Sequence, residues 1–204
     1  MKKVFVLFVL ICTVLTFSAC ADSNPSQEDS DSQNETVTQS QSVTSSVVTA
    51  ENIKGTIDGN VYTNKFLNLT VTASGKWGFL PEEAVISQGE NYDMIAIDAA
   101  TGAHIKLAFE DLTATASPGM TTEDYVNNIS NAASEHPEAS TITDQSEITI
   151  GGNKYIKLTL YSVIDNRPST LYEYIRVVDN YAAILVATVP SEKVTDVNID
   201  ALLS

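Results

Sequence analysis

Near its C-terminus the chain writes a strand, a two-residue turn and a second strand in unbroken succession: Thr170 to Val178, Asp179-Asn180, Tyr181 to Val189. Asp and Asn tolerate the left-handed backbone that a tight hairpin turn requires, so this is a strong local signal. The returning strand contains Ala182-Ala183-Ile184-Leu185-Val186-Ala187, apolar on both faces. Such a strand belongs in the middle of a sheet that is covered on both sides. A chain committed to hairpins of this kind folds around an antiparallel sheet. A doubly wound nucleotide-binding fold, which needs alternating parallel βα units, is excluded.

The preceding residues repeat the pattern. Val61-Tyr62-Thr63 is a short strand, and Phe66 to Thr72 alternates as one strand. Tyr92 to Asp98 and Ala103 to Glu110 flank the turn residues 99–102, with Ile105, Leu107 and Phe109 on one face opposite His104 and Lys106. Ile142 to Ile150 and Lys154 to Ser162 flank Gly151-Gly152-Asn153, and Asp165-Asn166-Arg167-Pro168 forms the next turn. Three helices are expected. The first starts at Pro81-Glu82-Glu83 and stops at Gly89. The second is capped by Thr121 or Thr122, buries Tyr125, Val126, Ile129, Ala132 and Ala133, and ends at His136-Pro137. The third runs from Glu192 to Leu203 behind a Ser191 cap, with Val194, Val197 and Leu202 inward. The fold class is therefore α+β: a mostly antiparallel sheet of six to eight strands with about three helices, over residues 51–204.

One stretch resembles a known family. Val61-Tyr62-Thr63-Asn64-Lys65-Phe66-Leu67-Asn68-Leu69-Thr70-Val71, followed by Gly75-Lys76-Trp77-Gly78-Phe79, is similar to the opening of the Mog1/PsbP-like family, in which a Y-x-N strand pair precedes a tryptophan-bearing turn and a helix. Ala73-Ser74 stands where that family places a proline before the tryptophan. The order of later elements follows the same plan over nearly all of 51–204. The resemblance implies an α/β/α sandwich and a family without a common active site, whose members bind partners such as a small GTPase or a photosystem subunit. Trp77 reads as a core anchor.

The first fifty residues speak to location. Met1-Lys2-Lys3 is a short cationic start, and Val4 to Leu15 is an apolar run of signal-peptide length, short of the ~20 residues of a membrane span. It ends in Thr16-Phe17-Ser18-Ala19-Cys20, which resembles the lipobox of bacterial lipoproteins, with Phe17 where leucine is usual. That resemblance implies cleavage after Ala19, lipidation of Cys20, and anchoring by at least two acyl chains, the condition for a stable lipid anchor. Cys12 would leave with residues 1–19. Residues 20–50 then form the lipidated cysteine and an acidic Ser/Thr/Gln-rich tether, with no aromatic and no base after Cys20. This composition cannot bury enough apolar area to fold. As a flexible coil it spans roughly 30 Å. The expected localisation is the extracytoplasmic face of a bacterial cell membrane. The triplets beginning at Asn34, Asn68 and Asn128 match a glycosylation sequon and read as chance in a bacterium.

Chemistry is scarce. With 26 acidic and 11 basic residues and a net charge of −15, the chain offers no basic face for nucleic acid. Two cysteines and two histidines cannot build a disulfide framework or a histidine- or cysteine-rich metal centre. There is no nucleophile elbow, no Ser-x-x-Lys, no phosphate loop and no His-Glu-x-x-His. His104 and His136 read as structural. Alternation sends Asp93 and Asp98 to opposite faces of one strand, Glu110-Asp111 and Glu123-Asp124 sit at element ends, and the calcium-loop pattern is missing. No catalytic residue, metal or cofactor is expected.

One face invites a ligand. Tyr155, Tyr161, Tyr172 and Tyr174 alternate along two consecutive strands, with Lys157, Thr159 and Arg176 in the same register. Tyrosine and arginine favour binding hot spots. The candidate ligand-binding residues are Tyr155, Tyr161, Tyr172, Tyr174 and Arg176, for a peptide, a sugar or an envelope protein. The opposing reading is that a helix covers this face. The sequence thus describes a membrane-tethered binding or accessory domain without catalysis. A carboxylate-based envelope hydrolase and a structural lipoprotein supporting a membrane complex stay open as alternatives.

Overall fold

A computed structural model of the chain describes residues 52–89, 91–114 and 117–204. The expected signal peptide 1–19, the expected lipidation site Cys20 and the expected tether 20–50 lie outside the described residues. The elements are β1 (Thr56–Asp58), β2 (Val61–Asn64), β3 (Leu69–Thr72), β4 (Trp77–Phe79), α1 (Glu82–Gln88), β5 (Tyr92–Asp98), β6 (His104–Asp111), α2 (Thr122–Glu135), β7 (Ser140–Ile150), β8 (Asn153–Ile164), β9 (Arg167–Val178) and β10 (Tyr181–Pro190). Seven strands form one sheet in the order β4-β5-β6-β10-β9-β8-β7, and β1-β2-β3 form a separate small ribbon. Every pairing is antiparallel.

Strand β10 occupies the centre, as its two-faced apolarity demands. Strands β7 to β10 follow one another through three two-residue turns: Gly151-Gly152, Asp165-Asn166 and Asp179-Asn180. Positive φ angles at Gly151, Gly152, Asp165, Asn166 and Asp179 explain why glycine, Asp and Asn stand there. The second turn is shorter than expected: it holds only Asp165 and Asn166, and β9 resumes at Arg167. Gly151 has a second reason: a Cβ there would overlap the carbonyl oxygen of Asn68.

Two expectations are corrected, and two strands are added. Phe66 to Thr72 is not one strand. The Asn64 side chain accepts the Leu67 N–H at 2.9 Å and Asn68 takes φ 49°, so residues 65–68 turn and β3 begins at Leu69. The third helix is replaced by two single 3₁₀ turns, Ser191–Lys193 and Asp200–Leu202. Val194, Thr195, Val197 and Ile199 are β-branched and disfavour helix, and Leu203 instead makes a β-bridge with Val71 while Ser204 and Thr70 exchange backbone hydrogen bonds. Strands β1 and β4, three residues each, are too short to show a period and were not foreseen.

The core has two parts. One contains Tyr62, Leu67, Leu69, Val71, Met94, Leu107, Tyr174, Leu185, Ile199 and Leu202. It lies between the large sheet and a cover made of the ribbon and the C-terminal segment. In place of the second helical layer of an α/β/α sandwich, this face therefore carries β-structure and 3₁₀ turns. Trp77 packs at its margin, partly buried. The other part contains Tyr125 and Val126 of α2 against Leu158, Leu160, Leu171, Ile175 and Ile184. Helix α2 starts with a capping box in which Thr121 and Asp124 exchange bonds. Thr122, the other possible cap, accepts the Val177 N–H at 2.9 Å.

Candidate functional site

The strands β8 and β9 pair with Lys157 opposite Tyr174, Thr159 opposite Tyr172 and Tyr161 opposite Thr170. Alternation then places these side chains on one face of the sheet. The face is closed at one end. Tyr155 and Tyr174 are buried in the core beneath the ribbon and the C-terminal segment. Arg176 donates to the Leu67 carbonyl at 3.1 Å and lies over the Tyr155 ring, 5.8 Å from its centroid. These three of the five candidate residues are structural. Tyr172 is half-buried, and Tyr161 is 45% exposed.

Between the closed and open ends sits a latch absent from the expectations. Lys157 Nζ donates to both carboxylate oxygens of Asp200, at 2.8 and 2.9 Å, and lies over the rings of Tyr172 and Tyr174. The Tyr174 hydroxyl donates to Asp200 Oδ1 at 2.5 Å. Burial works to raise the Asp200 carboxyl, but the hydrogen bonds from Lys157 and Tyr174 outweigh it and hold it below the usual range. Burial, and then the bond to Asp200, keeps Tyr174 protonated far above its ordinary range. Asp200 is not legible in the sequence, because the apolar spacing of its segment suits a helix and the contact with Lys157 spans 43 residues.

The other carboxylates serve the scaffold. Asp93 Oδ2 accepts the Gly55 N–H at 2.8 Å, the Tyr62 hydroxyl at 2.5 Å and an Asn64 amide N–H at 3.3 Å. A register shift between Tyr92 and Met94 breaks the alternation, so Asp93 turns toward the ribbon instead of facing away from Asp98. Asp98 caps its own turn, accepting from Ala100 N–H and the Thr101 hydroxyl at 2.8 Å each. Burial opposes ionisation of Asp98, yet those hydrogen bonds prevail and its pKa falls. Glu110 accepts the Tyr125 hydroxyl at 2.5 Å, and Asp111 accepts from Thr113. His104 is half-buried on β6. Burial, assisted by the Lys106 charge, lowers it to about 4. His136 contacts Glu138 at 3.3 Å in solvent. Among the described residues, no group of three or more His, Cys, Asp or Glu is arranged to hold a metal ion, and no helix is long and apolar enough to cross a membrane.

No protein-family model matches the chain, and no curated protein matches it. Solved structures give distant likenesses. The solution structure of cyanobacterial PsbP (CyanoP) from Synechocystis sp. PCC 6803 aligns with a TM-score of 0.46 and 7% identity over 73% of this chain and 94% of that one. LpqN of Mycobacterium tuberculosis, described as involved in cell envelope biogenesis, aligns with a TM-score of 0.44 and 14% identity over 67% and 82%. A Bacteroides thetaiotaomicron VPI-5482 protein aligns with a TM-score of 0.42 and 12% identity over 72% of this chain and 48% of that one, so the chain spans about half its length.

Proposed function

We propose that this chain is an extracytoplasmic lipoprotein of a bacterial cell, anchored through acylated Cys20, whose domain from residue 52 onward binds a partner and performs no chemistry of its own. The observation that carries the second half is the employment of the carboxylates. A hydrolase needs two carboxyls converging on a cleft. Here Asp93, Asp98, Glu110 and Asp200 each accept hydrogen bonds from a different part of the scaffold: the ribbon, a turn, α2 and the β8–β9 hairpin respectively. The anchor rests on the apolar run Val4 to Leu15 leading into Ser18-Ala19-Cys20 and on the polar stretch behind it. A Mog1/PsbP-like fold accords with the packing roles of its opening motif: Tyr62 bonds Asp93, and Asn64 shapes the turn before Leu67. Fold by itself assigns no activity.

Mass spectrometry of the protein recovered from membranes by a C-terminal tag tests the anchor. The expected N-terminal peptide begins at a diacylated or triacylated Cys20, and Cys20→Ser moves the protein out of the membrane fraction. An unmodified N-terminus in the culture medium would overturn the anchor.

A further inference from the structure

Strand β7 forms one edge of the large sheet, with β8 as its neighbour. The opposite edge, β4, is three residues long, and so short an edge leaves little backbone open to another chain. Strand β7 runs eleven residues, and seven of them are exposed. It holds six β-branched residues and no proline, glycine or lysine. Among the described residues its backbone bonds to β8 alone, so its outward row of N–H and C=O groups faces solvent. A register shift between Ile142 and Asp144 leaves Thr143 unpaired, its hydroxyl turned back onto the Thr159 carbonyl at 3.1 Å. From Asp144 to Ile150 the register is unbroken, a run as long as an ordinary strand.

We propose that this edge receives an extended, basic segment of a partner protein as an added strand. The inference rests on the reading of the domain as a binding module and names the partner's chemistry. In such pairing main-chain hydrogen bonds supply affinity, and the side chains beside the edge select the sequence. Asp144 and Glu147 are three residues apart, so they project to opposite faces of β7, and both are exposed. Among the described residues no ion pair engages Asp144, and Glu147 meets Lys154 at 3.2 Å with both side chains largely in solvent. A carboxylate in that position still accepts from a second cation. Cations spaced three residues apart on an added strand alternate faces in the same way and stand beside these two carboxylates. A second copy of this chain is disfavoured, because its own β7 would set two more carboxylates against them. The common guards of an open edge are lysine and proline. Here acids take their place, which turns away the chain's own kind and admits a basic strand. The net charge of −15 steers a basic segment inward from a distance. An apolar anchor lies just past the unpaired Thr143. Tyr161, 45% exposed, stands beside the exposed Thr141, and Val163, 53% exposed, follows on the same face opposite Pro168. Tyrosine is a frequent hot spot of protein interfaces, and a long apolar side chain of the partner reaches it across the short Thr141.

The test is calorimetric titration of the full-length protein, purified in detergent, with an end-capped peptide of Lys-Val-Thr repeats in about 50 mM salt. Hydrogen–deuterium exchange read by mass spectrometry locates the contact. The peptide is expected to bind and to add protection at residues 140–150, and a Glu-Val-Thr peptide is expected not to bind. Methylating two adjacent central amides of the basic peptide removes a donor from each of its edges and is expected to weaken binding about tenfold. Asp144→Asn combined with Glu147→Gln is expected to weaken it about tenfold, and Tyr161→Ala about threefold. Glu82→Gln combined with Glu83→Gln, which neutralises exposed acids on α1, leaves it unchanged. All of these side chains are exposed, so the variants fold, and unchanged circular dichroism spectra verify this. Absence of binding, protection added elsewhere than at 140–150, or equal binding of the methylated peptide overturns the edge site. Equal weakening by the α1 variant reduces the effect to overall charge and overturns it too. A dimer whose β7 is protected before any peptide is added hands the edge to a second copy, which overturns the basic partner and leaves the binding-module reading in place. Cleavage of the bound peptide would sustain the edge site and overturn the non-catalytic reading.

Discussion

At the scale of single residues, the clearest consequence of burial is at Glu173. It lies in β9 between Leu158 of β8 and Val186 of β10, half-buried on the face that α2 covers. Its same-face neighbours Leu171 and Ile175 are core residues, and the Tyr125–Glu110 hydrogen bond adds no cation nearby. Burial alone lifts the Glu173 carboxyl from the ordinary 4.5 to about 7. The raised value means that the fold prefers the protonated acid. Its contribution to stability is complete below pH 4.5 and is lost as the pH rises through 7. Glu173→Gln keeps the shape and removes the charge. The variant is therefore expected to match the parent in urea midpoint at pH 4 and to exceed it at pH 8. A parallel dependence in both proteins would show that the group is solvated.

At the scale of elements, the segment leading into β1 and the strand β2 are tied to the sheet through one carboxylate, while Arg176 and Asn153 hold the Leu67 carbonyl. Asp93 accepts the Gly55 N–H and the O–H of the fully buried Tyr62, whose hydroxyl oxygen also accepts from Asn64 but whose proton has no other acceptor among the described residues. Asp93→Ala strands both donors and is expected to cost about 2–4 kcal/mol in urea unfolding, with Asp93→Asn, which keeps an acceptor, losing less. A loss below ~1 kcal/mol would mean that water replaces the carboxylate. This network also marks where sequence reading stops. The strands β5 to β10 announce themselves through alternation and turn chemistry, because both are local. The Thr121–Asp124 cap is local too. The partnership of Tyr62 with Asp93 joins residues 31 apart and depends on a register shift that alternation cannot reveal. The same holds for the tyrosine face. Its periodicity was legible, but the burial of Tyr155 and Tyr174 depends on where the ribbon and the C-terminal segment return. That segment was misread as a helix because its apolar spacing suits one, although its β-branched residues do not.

At the scale of the whole molecule, charge and topology pull in different directions. The C-terminal segment closes one cover: Leu203 bridges Val71 of β3, and Asp200 is latched by Lys157. Yet the chain carries 26 acids against 11 bases, and the described residues contain four ion pairs, of which three involve side chains at least 41% exposed on both partners. Exposed pairs of that kind contribute ~0–1 kcal/mol each and are readily screened. The excess negative charge repels itself across the surface and favours expansion. Screening should then relieve more repulsion than it removes attraction. Raising sodium chloride from about 10 to about 300 mM shortens the screening length below the spacing of most surface acids. The expected result is a rise in the thermal midpoint of about 3 °C, equivalent to about 1 kcal/mol for a domain of this size, read by differential scanning calorimetry at pH 7. A fall would mean that the half-buried Lys157–Asp200 pair outweighs the global repulsion, and the C-terminal segment would then be the first part to loosen. Hydrogen exchange at Leu203 and Ser204, whose amides are tied to the C-terminal cover, separates the two cases: protection there should persist at high salt if repulsion dominates and vanish if the latch does.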